Sequence, residues 1–133
     1  MRRNHVRQKL SQGSPVIGTF VGLQSANVAE LMGHSGFDFV VIETEHNALD
    51  SAEIEHVLMA VGNTEAIPIV RIPSSDKVFI QKALDIGAMG IVVPSVKSAE
   101  EARNIVSATR FPPLGTRSWG PVSYTHLPLP TQA

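Results

Sequence analysis

Charged side chains that can handle protons follow two apolar runs of the sequence. Glu45 and His46 come shortly after residues 37–42, and Arg71 ends the run of residues 67–71. In a parallel α/β protein, ligands bind and reactions occur at the carboxyl ends of the strands. We therefore expect these side chains to lie at one edge of a sheet and to form a site.

His46 is a candidate general base. An imidazole titrates near neutral pH, and this one directly follows an acidic residue at the end of a strand. The alternative is a structural or solvent-exposed histidine. The other histidines have no comparable setting: His5, His34, His56 and His126.

Glu43, Glu45 and Arg71 are candidate binding residues. Glu43 and Glu45 are two residues apart and so lie on the same side of an extended strand. A carboxylate here could bind a metal or orient a neighbour, but two ligands do not complete a divalent site; a solvated acidic loop is the alternative. The Arg71 guanidinium suits the carboxylate of an α-keto acid or its enolate, with a structural salt bridge as the alternative.

Asp85 and Lys97 are two further candidates. Asp85 lies among inner-face residues near the end of a helix, where the dipole disfavours a carboxylate, so we expect it to be paired, for instance with a histidine. Simple exposure is the alternative. Lys97, three residues after Pro94, raises the possibility of a Schiff base, but it precedes a helix cap in a loop instead of projecting from a strand.

The composition is that of an ordinary globular domain. The 133 residues are 43% hydrophobic and carry a formal net charge of −1, which gives no reason to expect binding to nucleic acid or to a membrane surface. No apolar stretch approaches the length of a spanning helix, and no cysteine is present for disulfides or thiolate sites. We expect a cytoplasmic protein.

Apolar runs alternate with amphipathic segments four times after a short polar N-terminal helix. This pattern predicts an α/β fold with parallel strands at residues 16–21, 37–42, 67–71 and 90–94. Asp50 with Glu53, and Ser98 with Glu101, have the spacing of capping boxes. By length alone, an open doubly wound sheet is favoured, because a closed (β/α)8 barrel needs about 250 residues.

The sequence resembles the HpcH/HpaI aldolase family of metal-dependent pyruvate aldolases. The resemblance is carried by residues 36–46, 70–71, 83–88, 92–94 and 110–121, in family order and spacing. It implies that the chain is the first half of a TIM barrel, with about four βα units, and this overrules the argument from length. The barrel domain is expected at residues 1–122, and residues 123–133 are expected to be a non-family tail of artefactual or disordered sequence.

The resemblance also implies an activity, a carbon–carbon lyase that reversibly cleaves a 4-hydroxy-2-oxo acid to pyruvate and an aldehyde. His46 matches the family's general base, Asp85 the acid that pairs with it, and Arg71 the arginine that stabilises the pyruvate enolate. Glu45 matches a position near the metal, and Glu43 stands where the family usually has Asp. The full-length family protein is expected to use Mg, Mn or Co and to form a homo-oligomer.

The family's metal ligands follow later strands, and the last residues of this sequence do not replace them. We therefore expect the isolated 133-residue chain to be inactive as an aldolase. Because half a barrel leaves edge strands and an apolar face uncovered, we also expect it to self-associate. The alternatives are a Schiff-base aldolase using Lys97 and a non-catalytic open-sheet interaction domain.

Overall fold

The fold is a four-stranded parallel sheet with five helices, seen in a computed structural model that describes residues 3–23 and 25–118. The helices are α1 His5–Ser11, α2 Ala26–His34, α3 Ser51–Gly62, α4 Lys77–Asp85 and α5 Ala99–Thr109. The strands are β1 Gly18–Val21, β2 Phe39–Glu43, β3 Ile67–Arg71 and β4 Gly90–Val92. The predicted alternation of strands and helices is thus confirmed. β1 and β2 begin two residues later than predicted, β2 ends one residue later, and β4 ends two residues earlier.

The strands lie side by side in chain order, β1-β2-β3-β4, and all pairs are parallel. A doubly wound sheet reverses its strand order at a switch point and carries helices on both faces. Here no reversal occurs among the described strands, and one buried cluster joins residues of α2, α3, α4 and α5 to the sheet. The architecture is that of part of a (β/α) barrel, and the open sheet favoured by length is wrong.

The two faces of the sheet are different. Val40, Ile42 and Val70 belong to the cluster beneath the helices and are at most 1% exposed. Because side chains alternate along a strand, Val41 and Ile69 point to the opposite side, which we call the inner face. This face also carries the side chains at the carboxyl ends of β2 and β3, so the strand period itself turns Glu43 and Arg71 away from the helices.

The helix starts follow from local side-chain hydrogen bonds. Asp50 accepts the backbone N–H groups of Ala52 and Glu53, and Glu53 accepts the N–H of Asp50, which confirms the predicted capping box. The second predicted box forms only in part. Ser98 accepts the N–H of Glu101, but the Glu101 carboxylate accepts the N–H of Lys97.

Helix α1 is bound to the amino edge of the sheet. Asp38 lies just before β2 and accepts hydrogen bonds from the Lys9 ammonium and from the Ile17 N–H. Asn4 caps α1 and also donates to the Met89 carbonyl before β4. The polar groups at the ends of β2 and β3 lie at the opposite, carboxyl edge.

The predicted non-family tail at residues 123–133 lies outside the described residues. Among the described residues, no helix combines the length and the apolar character needed to cross a membrane.

Candidate active site

Glu43 and Arg71 form an ion pair at the carboxyl edge of the sheet. They are direct partners in the parallel register of β2 and β3, and a carboxylate oxygen of Glu43 contacts the Arg71 Nη2. Both are largely shielded from solvent, with 10% of the Glu43 side chain and 26% of the Arg71 side chain exposed. The strand register therefore fixes the relative position of Glu43 and Arg71, since both residues belong to strands and neither lies in a loop.

The second oxygen of Glu43 holds the turn that carries His46. Its Oε1 accepts the backbone N–H of Glu45 at 2.7 Å and that of His46 at 3.2 Å. Burial raises the pKa of Glu43, but the hydrogen bonds from Arg71 and from these two amides outweigh burial, so its pKa lies below the ordinary value. Glu43 is thus held as a carboxylate that positions both Arg71 and the His46 backbone.

Glu45 lies between Arg71 and His46. Its Oε2 is 3.2 Å from Arg71 Nε and 3.7 Å from His46 Nε2. The His46 side chain is 70% exposed, whereas that of Glu45 is 21% exposed. The imidazole is therefore accessible to a small molecule while a carboxylate stands beside it.

Thr44 and Asn47, which were not among the predicted site residues, support this edge. Thr44 is buried, and both its N–H (3.1 Å) and its hydroxyl (2.6 Å) donate to the Arg71 carbonyl. Asn47 Nδ2 donates to the Gly22 carbonyl at 2.8 Å and to the Glu43 carbonyl at 3.3 Å. The sequence offered one signal for these two residues, since they are polar and flank the Glu45–His46 pair. Their hydrogen-bond partners could not be predicted, because these depend on the strand register.

Phe20 lies on the inner face, next to Val41 in the register of β1 and β2, and no pattern in the sequence pointed to it. The Arg71 guanidinium carbon lies 5.4 Å from the centre of the Phe20 ring, and Phe20 is 54% exposed. Such a contact orients the guanidinium by a cation–π interaction. The site therefore has an apolar wall on β1 next to its cation.

The structure does not bring Asp85 to His46. Asp85 ends α4, and the chain then turns at Gly87 and enters β4 at its amino end, whereas His46 follows the carboxyl end of β2. The expected pairing is found with a different residue, because Arg117 Nη2 donates to Asp85 at 2.7 Å. Arg117 also stacks over Phe111, at 4.7 Å from the ring centre. Within one chain, the carboxylate next to His46 is that of Glu45.

Lys97 lies in the exposed segment between β4 and α5. Its described role is local, since its backbone N–H donates to Glu101 at the start of the helix. No contact in the described structure favours a Schiff base at this lysine over the groups around Arg71.

The described residues do not by themselves fit a divalent metal. Within residues 3–23 and 25–118, no three His, Asp or Glu side chains are grouped to hold an ion. Glu43 and Glu45 are the nearest candidates, and both face the Arg71 cation, which competes with a metal for their oxygens.

Comparison with known proteins decides the family. A family model described as HpcH/HpaI aldolase/citrate lyase matches residues 16–130. The chain belongs to this family. The resemblance inferred from the sequence is confirmed.

Proteins similar to this chain include two enzymes and a solved structure. A 2-dehydro-3,6-dideoxy-6-sulfogluconate aldolase of Pseudomonas putida is 40% identical over 113 residues, which are 85% of this chain and 44% of that protein. A 4-hydroxy-2-oxo-heptane-1,7-dioate aldolase of Salmonella dublin is 38% identical over 118 residues, 89% of this chain and 45% of that protein. The crystal structure of a family protein from Burkholderia cenocepacia J2315 superposes with a TM-score of 0.83 at 30% identity, covering 89% of this chain and 49% of the other. The chain thus spans about half the length of the relatives that it matches.

Proposed function

We propose that this chain supplies the 2-oxo acid clamp and the proton-transfer base of an aldolase that cleaves a 4-hydroxy-2-oxo acid to pyruvate and an aldehyde. The proposal is supported most directly by the meeting of Arg71, His46 and two carboxylates at the carboxyl edge of a parallel sheet. The aldolase activity of the named relatives agrees with it.

Arg71 binds the substrate. Its guanidinium grips the carboxylate and the 2-oxo oxygen of the acid by two parallel hydrogen bonds. When the C3–C4 bond breaks, its electrons move onto the 2-oxo oxygen, and Arg71 stabilises the enolate that results. Phe20 and Glu43 keep the guanidinium in the orientation that this requires.

His46 moves the proton. As a base it accepts the proton of the C4 hydroxyl, which allows the aldehyde carbonyl to form as the bond breaks. The protonated imidazole then returns a proton to C3 of the enolate, and pyruvate is released. The exposed imidazole and the Arg71 guanidinium both lie beside the Glu45 carboxylate, at 3.7 Å and 3.2 Å, which supports a substrate shared by the two groups.

The metal dependence implied by the family resemblance is part of the proposal, as are a homo-oligomeric assembly and a cytoplasmic location. Since the described residues do not form a metal site, we propose that the 133-residue polypeptide alone has no aldolase activity. Pyruvate release from the purified polypeptide, inhibited by a chelator, would contradict this part while leaving the aldolase assignment intact.

The assignment itself is tested with a chimaera. Residues 1–118 of this chain are joined to the remaining half of the P. putida relative, and pyruvate release from a 4-hydroxy-2-oxo acid is measured with Mg²⁺, Mn²⁺ or Co²⁺ and with EDTA. We expect metal-dependent release that falls by about 100-fold or more in His46→Ala and Arg71→Ala. An active chimaera that both variants leave unchanged would contradict the roles given to His46 and Arg71.

A further inference from the structure

The Glu45 carboxylate lies between the Arg71 guanidinium and the His46 imidazole and has no well-formed hydrogen bond to either. It is 3.2 Å from Arg71 Nε, yet that N–H is not aligned on it, and Nε is a buried nitrogen without a hydrogen-bond partner among the described residues. The 3.7 Å to His46 Nε2 is too long for a hydrogen bond.

Within Glu45, the backbone is held in place and the side chain is free to move. Its backbone N–H is held by Glu43 Oε1 at 2.7 Å, and the following N–H is held by the same oxygen. Glu43 is the opposite case, because hydrogen bonds occupy both of its oxygens. Of the two acids, Glu45 is the one that can exchange partners without disturbing the turn.

Charge balance favours such an exchange when an acid binds. Glu43, Glu45 and Arg71 together carry one uncompensated negative charge. A 2-oxo acid on Arg71 adds another and competes with Glu45 for Nε, because an anionic ligand there needs the same N–H. A carboxylate released from Arg71 has a second basic group within reach, the His46 imidazole.

We infer that Glu45 is a positioning residue that passes from Arg71 to His46 when a 2-oxo acid binds. This rests on the proposed function, because the anion that displaces Glu45 is its substrate or product. In the free chain Glu45 partly neutralises Arg71. In the bound chain it accepts a hydrogen bond from His46 Nε2, orients the imidazole and stabilises the imidazolium that forms during proton transfer. Substrate binding thereby orients His46 for proton transfer.

The test uses the 133-residue chain, labelled with ¹³C and ¹⁵N, and pyruvate as the probe. Resonances of the His46 ring and the Arg71 side chain are followed by NMR during the titration. Glu45→Gln removes the competing charge at nearly constant shape, so we expect it to bind pyruvate about threefold to fivefold more tightly, as for the loss of a partly exposed ion pair. The pyruvate-induced shift of the His46 Nε2 resonance falls to less than half, and Glu45→Asp restores part of it.

Glu65→Gln is the matched control, since Glu65 is an exposed acid before β3 at the amino edge. It should change neither the affinity nor the His46 response. Unchanged or weaker pyruvate binding in Glu45→Gln, or an undiminished shift of His46, would overturn the exchange while leaving the clamp in place. If pyruvate shifts neither Arg71 nor His46 in the wild-type chain, both the exchange and the proposed function are wrong.

Discussion

Glu43 and Arg71 face each other across β2 and β3, and the same carboxylate that binds Arg71 also holds the backbone of the His46 turn. The resemblance noted in the sequence implies that Asp is usual at the position of Glu43 in the family. The longer side chain of Glu43 reaches forward to the amides of the turn and sideways to the next strand. The cation and the base of the proposed site are therefore positioned by one acid, and the departure from the family pattern is compatible with an ordered site.

Glu43→Gln tests this link through stability. The Glu43 pKa is lowered by folding, so its contribution is fully present above the ordinary pKa of about 4.3 and is lost as the pH falls through the lower folded-state value. At pH 7 we expect the variant to lose about 1–3 kcal/mol of unfolding free energy in urea titrations, because it leaves Arg71 without its partner.

The difference between wild type and Glu43→Gln should then shrink as the pH falls below about 4. The exposed Glu65→Gln serves again as control and should change stability by less than about 0.5 kcal/mol at any pH. A Glu43→Gln deficit that is the same at pH 7 and at pH 3 would argue against a stabilising ionised carboxylate.

Asp85→Asn tests whether Asp85 has a structural role beside Arg117 or a catalytic role beside His46. Because Asp85 pairs with Arg117 at the amino edge, we expect a loss of about 1 kcal/mol in unfolding free energy, modest since the Asp85 side chain is 34% exposed. The NMR resonances of the His46 ring should stay where they are. A shift of these resonances in the variant would show a contact between Asp85 and His46 that the fold of one chain does not provide.

Gly33 and Gly62 form a matched pair for helix packing. A Cβ at Gly33 in α2 would lie 2.4 Å from Thr64 Oγ1 and 2.7 Å from Thr64 Cγ2, at the contact with the end of α3, whereas a Cβ at Gly62 meets nothing within 4 Å. We expect Gly33→Ala to destabilise by about 1–3 kcal/mol through overpacking. Gly62→Ala should be neutral or stabilise by up to about 1 kcal/mol through helix propensity. Equal effects in thermal denaturation would contradict the close approach of α2 to the segment after α3.

Self-association of the 133-residue polypeptide is a further expectation. Among the described strands, β1 and β4 each have a neighbour on one side only, and Phe20 and Leu23 are 54% and 64% exposed near the carboxyl edge. Unpaired parallel edges and apolar surface favour association. Sedimentation velocity should show species larger than a monomer that grow with concentration. A monodisperse monomer that unfolds cooperatively at every concentration would contradict this.

The sequence predicted the elements well because their signals are local. Apolar runs located the strands, and side-chain caps such as Asp50 located helix starts. The spacing of Glu43 and Glu45 predicted only that both lie on the same side of a strand; that both contact Arg71 follows from the register of β2 and β3. Asp85 was expected to be paired, and it is, but its partner Arg117 lies 32 positions further along the chain, and no local pattern identifies it. The bonds of Thr44 and Asn47 to neighbouring strands depend on register in the same way.

Pyruvate titration of the ¹⁵N-labelled chain tests most directly whether Arg71 and His46 form one site for a 2-oxo acid. We expect the Arg71 side chain and the His46 ring to shift together with a single dissociation constant, and Arg117 at the amino edge to stay unchanged. Arg71→Lys keeps the charge but loses the planar fork, and should weaken binding by about tenfold. Arg103→Lys, an exposed arginine of α5, should have no effect. Pyruvate that shifts Arg117 but not Arg71, or that binds Arg71→Lys as tightly as wild type, would contradict the site.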